Sequence, residues 1–150
     1  MDKHAKILVV DDDENIRNTV KTVLEDEGYL VDVAASGREA IQKTQKTAYN
    51  IAFLDIRLPD MEGVELLRQI KDGVPRTRKI MMTGYPSMQN AIASLNKNAD
   101  AYLIKPVDVE SLLETVKHQL QLQQGEREFS EQKVAEFIET RVKELQANHV

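Results

Sequence analysis

Ile51-Ala-Phe-Leu-Asp55-Ile-Arg-Leu-Pro59-Asp-Met-Glu-Gly63 is an apolar run that ends on a carboxylate and then breaks. Four consecutive hydrophobic residues without alternation fit a strand buried on both faces of a parallel sheet. Asp55 stands where the run stops. Pro59 and Gly63 bracket a loop, and Val64 opens an amphipathic helix with Leu67 and Ile70 on one stripe, closed by Gly73 and Pro75. A carboxylate at the carboxyl end of a central parallel strand lies where open α/β sheets bind ligands. On this stretch alone Asp55 is equally well a turn cap or a functional group, and the flanking sequence decides between them.

Upstream, Lys6 to Val10 is a second buried strand, and it runs into Asp11-Asp12-Asp13. Ile16, Val20, Val23 and Leu24 then repeat at helical spacing until Gly28. Leu30 to Ala34 alternates Val31 and Val33 around Asp32, as an edge strand would. Ser36 and Glu39 form a capping box for a helix carrying Ala40, Ile41 and Thr44. Downstream, Lys79 to Met82 is an apolar strand ending at Thr83-Gly84. Ser87 can cap a helix with Ala91, Ile92 and Leu95 inward. Ala101 to Ile104 is a short strand ending at Lys105-Pro106, and Asp108 can cap a helix striped by Leu112, Leu113, Val116 and Leu120. Strict β-α alternation, five times over, specifies a doubly wound parallel sheet with helices on both faces and right-handed crossovers.

Strands one, three, four and five finish on Asp11-Asp12, Asp55, Thr83 and Lys105, and in a parallel sheet those ends share one rim. Carboxylates converging there repel and raise one another's pKa unless a cation neutralises them. Mg2+ fits such a set, being a hard ion that takes oxygen ligands and retains room for a phosphate oxygen. A carboxylate can also act as a nucleophile toward phosphorus. Lys105 offers a compact positive charge, Thr83 a hydroxyl donor, and Gly84 space for a phosphate to approach the backbone. Each has a plainer reading: Asp13 is better placed as an N-cap, Lys105 can be a surface lysine, Thr83 a strand residue and Tyr102 core.

The chain has 150 residues, net charge −5, and no cysteine, so thiol catalysis, disulfides and thiolate metal sites are excluded. The charge disfavours nucleic-acid binding by this chain. No apolar run reaches the ~20 residues that span a bilayer, so no membrane association is expected. After Leu120 the sequence turns Gln-rich and Gly125 interrupts it. From Ser130, Val134, Phe137, Ile138, Val142 and Leu145 recur at helical spacing. The expected organisation is a domain over 1–122, a linker over 123–129, and a C-terminal amphipathic helix over 130–150.

These residues resemble the receiver domain of two-component response regulators, of the chemotaxis-regulator-like type with a helical extension. The resemblance covers about Lys6 to Gln121. It rests on Val9-Val10-Asp11-Asp12, Leu54-Asp55-Ile56-Arg57-Leu58-Pro59-Asp60-Met61-Glu62-Gly63, Met82-Thr83-Gly84 and Tyr102-Leu103-Ile104-Lys105-Pro106. It implies a flavodoxin-like sheet of order 2-1-3-4-5. It implies that Asp55 accepts a phosphoryl group from a sensor histidine kinase or phosphotransfer protein. Asp11, Asp12, Asp55 and the main-chain carbonyl of Arg57 would hold Mg2+, and Thr83 and Lys105 would bind phosphoryl oxygens. The Lys105–Pro106 bond would be cis, and Thr83 and Tyr102 would switch an output face made by the fourth helix, fifth strand and fifth helix. Gly84, where relatives often carry Ala, and Val107, where many carry Phe, depart from the pattern. The chain is then expected to be a cytoplasmic phosphoprotein that phosphorylates and dephosphorylates itself, not an enzyme on an external metabolite. Its output would go to a protein partner, with a homodimer through the output face or the C-terminal helix as another assembly. Two other readings are a fragment of a longer transcriptional regulator and a haloacid-dehalogenase-like aspartyl-phosphate phosphatase. The latter typically places its nucleophile on the first strand and adds a cap domain, whereas the acceptor implied here ends the third strand and nothing in this sequence is long enough to be a cap.

Overall fold

The computed structural model describes residues 4–70, 73, 75–84 and 99–148. In chain order these form β1 (Lys6–Val10), α1 (Glu14–Asp26), β2 (Leu30–Ala34), α2 (Gly37–Lys46), β3 (Ile51–Asp55), α3 (Gly63–Gln69), β4 (Arg78–Thr83), β5 (Ala101–Ile104) and α4 (Val109–Ala147). The sheet has five strands in the order β2-β1-β3-β4-β5, every pairing parallel. The helix expected from Ser87, with Ala91, Ile92 and Leu95, lies outside the described residues.

Because successive strand residues point to opposite faces, each buried strand feeds two cores. Ile7, Val9, Ile51, Phe53, Ile80 and Met82 pack with Val20 and Leu24 of α1 and with Leu112, Val116 and Leu120 of α4. Leu8, Val10, Ala52, Leu54 and Met81 pack on the other face with Ala40, Leu66, Leu67 and Ile70. The unbroken apolar runs of β1 and β3 thus reflect burial on both sides, and at roughly 1.5–3 kcal/mol per large side chain this burial is the main stabilising term.

Local signals set the helix ends. Asp13 accepts from the N–H groups of Asn15 and Ile16 at 2.9 and 3.2 Å, so it is the N-cap of α1. Gly28 closes that helix at φ 96°, a left-handed conformation that glycine adopts freely. The N–H groups of Gly28 and Tyr29 bond back to the carbonyls of Glu25 and Leu24. Ser36 caps α2 through the N–H of Glu39, but Glu39 reaches past Ser36 and accepts from the Ala35 N–H at 3.0 Å.

The linker expected over 123–129 is helical, and the separate helix expected over 130–150 is part of α4 as far as Ala147, residues 149–150 lying outside the described residues. That helix runs unbroken for 39 residues through Gly125 to Ala147. Gln119 and Gln123 are buried on the sheet side and Glu126 continues their face. Gln123 donates to the carbonyls of Asn50 and Arg76 at 3.0 and 2.9 Å and accepts from Asn50 Nδ2 at 2.8 Å. Arg78 Nε donates to Gln119 at 2.8 Å and its NH1 to Glu126 at 2.6 Å. These bonds hold the helix past the point where its apolar stripe ends, and offset the ~1 kcal/mol that a mid-helix glycine costs.

Candidate functional site: an acidic rim at the strand ends

The parallel register places the ends of β1, β3, β4 and β5 side by side. Val10 pairs with Leu54, Asp55 with Met82, and Thr83 with Ile104. Chain direction therefore delivers Asp11, Asp55, Thr83 and Lys105 to one rim. Asp11 is fully buried, Asp55 and Thr83 are nearly so, and Asp12 is exposed. One carboxylate oxygen from each of Asp11, Asp12 and Asp55 lies within 4.8 Å of the others. Asp13, the fourth acidic candidate at this end, is occupied in capping α1.

Lys105 joins the cluster from the far side. Its Nζ lies 2.5 Å from Asp11 Oδ2 and 3.5 Å from Asp55 Oδ1. The Lys105–Pro106 peptide bond is cis, and the Lys105 N–H donates to the Thr83 carbonyl at 2.7 Å. Burial pushes the Asp55 carboxyl up to about 6, and the Asp11 and Asp12 charges add to the rise while Lys105 and the Arg57 N–H oppose it. One ammonium thus faces an excess of carboxylates. That donor set is all oxygen, clustered and under-neutralised, which fits a hard divalent cation and not a softer one.

The loop after β3 is built to hold Asp55 in place. The Arg57 N–H donates to Asp55 Oδ1 at 3.4 Å, Arg57 pairs with Glu62 in an isolated antiparallel bridge, and the Gly63 N–H donates to the Ile56 carbonyl at 2.6 Å. A Cβ on Gly63 would sit 2.1 Å from the Asp55 carbonyl oxygen, so glycine is required there for close approach. Asp60, in the same loop, crosses to the start of α2 and accepts from the Gly37 and Arg38 N–H groups at 2.8 and 2.9 Å. Those bonds hold its carboxyl below the usual carboxylate range. Sequence reasoning did not find this second cap, because Asp60 lies 23 residues from Gly37 and caps by tertiary contact.

Tyr102 packs partly against the second core. Its hydroxyl is buried with no hydrogen-bond partner among the described residues, and burial raises its pKa. Among the described residues, a Cβ on Gly84 would meet only Lys105 Cβ, at 3.9 Å. Val107 packs against the first core.

Comparison with known proteins agrees with this geometry. A family model described as response regulator receiver domain matches residues 7–117. The transcriptional regulatory protein TrcR of Mycobacterium tuberculosis is 37% identical over 108 residues, covering 72% of this chain and 42% of TrcR. The regulatory protein AtoC of Escherichia coli is 33% identical over 123 residues, covering 82% of this chain and 27% of AtoC. The chain therefore spans less than half the length of either curated relative. Among solved structures, a CheY-like response regulator receiver domain protein from Methanospirillum hungatei superposes with a TM-score of 0.79 at 46% identity, covering 82% of this chain and 98% of that one. Strand order, acidic rim and family match agree, and the chain belongs to the response regulator receiver domain family.

Proposed function

We propose that Asp55 accepts a phosphoryl group from the phosphohistidine of a sensor histidine kinase or phosphotransfer protein, and that this charge change is passed to a protein partner. The observation that carries the reading is the convergence of Asp11, Asp12 and Asp55 within 4.8 Å, with the Lys105 ammonium against two of them. A bound Mg2+, held by Asp11, Asp12, Asp55 and the Arg57 carbonyl, would supply charge neutralisation for the carboxylates and the transferring group.

The chain's own residues supply the remainder. An Asp55 carboxylate oxygen attacks phosphorus. The P–N bond to the donor imidazole breaks, its electron pair stays on the ring nitrogen, and an acyl phosphate forms. Ionised Asp55 is the attacking form, so the raised carboxyl pKa keeps part of it protonated until a cation is present. Lys105 exchanges its carboxylate contacts for phosphoryl oxygens, and the Thr83 hydroxyl donates to another. Gly84 gives the phosphoryl group access to the backbone. Hydrolysis of the acyl phosphate at the same rim resets the protein, with no external metabolite as substrate.

Switching requires contacts that differ between two states. The buried Tyr102 hydroxyl, without a partner among the described residues, supports that role. Leaving such a group unsatisfied costs about 1–3 kcal/mol, which holds the inward ring close in energy to an alternative with the hydroxyl in water. Movement of Thr83 toward a phosphoryl group would then bias the ring. The kinase encounter is assigned to the cytoplasm, and no helix among the described residues is long and apolar enough to cross a membrane. A haloacid-dehalogenase-like hydrolase is the poorer reading, because the buried acceptor here ends β3 and the first strand ends on adjacent aspartates.

Intact mass after incubation with Mg2+ and a small-molecule phosphodonor tests the proposal. The expected result is one added phosphoryl group on the wild type, none on Asp55→Asn, and none with chelator. Unmodified wild type under every donor, or equal labelling of Asp55→Asn, would refute it.

A further inference from the structure

Asp60 is exposed in the loop between β3 and α3, yet both of its carboxylate oxygens are engaged. One accepts from the Gly37 N–H at 2.8 Å and the other from the Arg38 N–H at 2.9 Å. Those are the first donors of α2, which no carbonyl of the helix itself can take. Ser36, the local cap, covers the Glu39 N–H instead. Packing doubles the contact. Met61 lies so close to Gly37 that a Cβ there would stand 2.5 Å from Met61 Cγ, and Met61 also packs against the second core.

Both sides of this clamp lead back to the rim. On one side the loop is braced between Asp60 and Asp55. The Leu58 N–H donates to the Met61 carbonyl at 3.1 Å, Arg57 bridges to Glu62, and the Gly63 N–H reaches the Ile56 carbonyl at 2.6 Å. On the other side, β2 ends at Ala34 just before α2, and the Ala34 carbonyl accepts from the Asp11 N–H at 3.1 Å. Asp60 thus closes a ring of bonds that runs from Asp11 through Ala34, Gly37 and Arg57 to Asp55. The strand pairing of β3 stops at Asp55. Arg57 lies beyond it and is placed by the loop, not by the sheet.

We propose that Asp60 is a positioning residue for the rim: by clamping the loop onto α2, it holds the Arg57 main-chain carbonyl and the Asp55 carboxylate at the spacing that receives a divalent cation. This rests on the metal-dependent reading of the rim given above. A loop freed from α2 has to be ordered at the moment of binding, and that ordering is subtracted from affinity. Groups that orient metal ligands from outside the ligand set change metal affinity by about 10–100-fold, and Asp60, which acts through the loop backbone, belongs at the lower end, about tenfold.

Calorimetric titration of the unphosphorylated chain with Mg2+, paired with backbone amide exchange in chelator, tests the proposal. Asp60→Ala should raise the Mg2+ dissociation constant about tenfold and speed exchange at Leu58 and Gly63 on the order of tenfold. Asp60→Asn keeps one acceptor and should lie between that variant and the wild type. Ser36→Ala removes a cap from the same helix but leaves the loop bonds in place, so it should stay within about twofold of the wild type in both measurements. Mg2+ affinity unchanged in Asp60→Ala, an equal loss in Ser36→Ala, or unchanged exchange at Leu58 and Gly63 would each overturn the proposal and leave the phosphoryl-transfer reading in place. A wild type that binds no Mg2+ would overturn that reading, and this proposal with it.

Discussion

Both ends of the sheet bury charge, and they do so in opposite ways. At the floor, below the amino ends of the strands, Arg76 forks onto Asp100 at 2.7 and 2.8 Å, and Arg78 reaches Gln119, Glu126 and Asp100. The Lys79 N–H adds a third bond to Asp100. Cations and anions are matched there, and each polar tip meets a fixed partner. At the rim, Lys105 reaches Asp11 and Asp55 while Asp12 lies beside them, and the three clustered carboxylates outnumber that ammonium. The floor is a closed network that holds a helix against a sheet. The rim holds an excess of negative charge that a cation would offset. Balance among neighbours, and not the mere presence of buried ionisable groups, separates a structural cluster from a reactive one.

The largest effect should come from opening the floor. Arg78→Ala leaves Gln119 without its donor, removes one cation from Asp100 and leaves Glu126 only the Arg76 contact at 3.5 Å, and removing one partner of a buried network costs about 3–5 kcal/mol. Chemical denaturation should show that loss, with phosphoryl acceptance retained under conditions where the protein stays folded. A loss below about 1 kcal/mol would mean that the floor is not the anchor described.

The rim should behave in the opposite sense. Asp55 has its carboxyl raised to about 6, so the metal-free folded state binds the proton more tightly than the unfolded chain does. Its stabilising contribution is complete below pH ~4 and is lost as pH rises through about 6. After allowance for solvent screening at this open site, the wild type should lose about 1–2 kcal/mol relative to Asp55→Asn across that window. Melts at several pH values in chelator measure it, and Mg2+ should restore the loss at pH 7. Equal pH slopes for the two proteins would break the contrast between the two ends.

Gly125→Ala should do least. Among the described residues a Cβ there meets nothing within 4 Å, so the gain is the helix-propensity difference of about 1 kcal/mol or less. Phosphoryl acceptance should not change. A larger gain in denaturation would show that the helix is marginal at this point despite the floor bonds.

The elements near the rim were readable from local pattern. β1 and β3 are unbroken apolar runs, Asp13, Ser36 and Asp108 are caps of recognisable type, and each strand of the rim ends on its chemical group. The floor was not readable. Asn50, Arg76, Arg78, Asp100, Gln119, Gln123 and Glu126 are scattered over 77 positions and carry no periodic signature. Without them, the Gln-rich stretch and Gly125 look like a break, and a linker was expected where the helix in fact continues. Asp60 was quoted as part of a motif, yet its role as a cap for α2 depended on a loop from another βα unit.

The sequence by itself determined the alternation of strands and helices, the parallel sheet, and the arrival of Asp11, Asp55, Thr83 and Lys105 at one rim. Periodicity, capping and chain direction are local properties that accumulate along the chain. Only the tertiary structure decided the 2.5 Å contact between Lys105 and Asp11, the burial of the Tyr102 hydroxyl, and the single helix from Val109 to Ala147. Those outcomes depend on which distant groups meet in a space of low dielectric, where the pairing of one charge or amide sets whether its neighbours are held or left open.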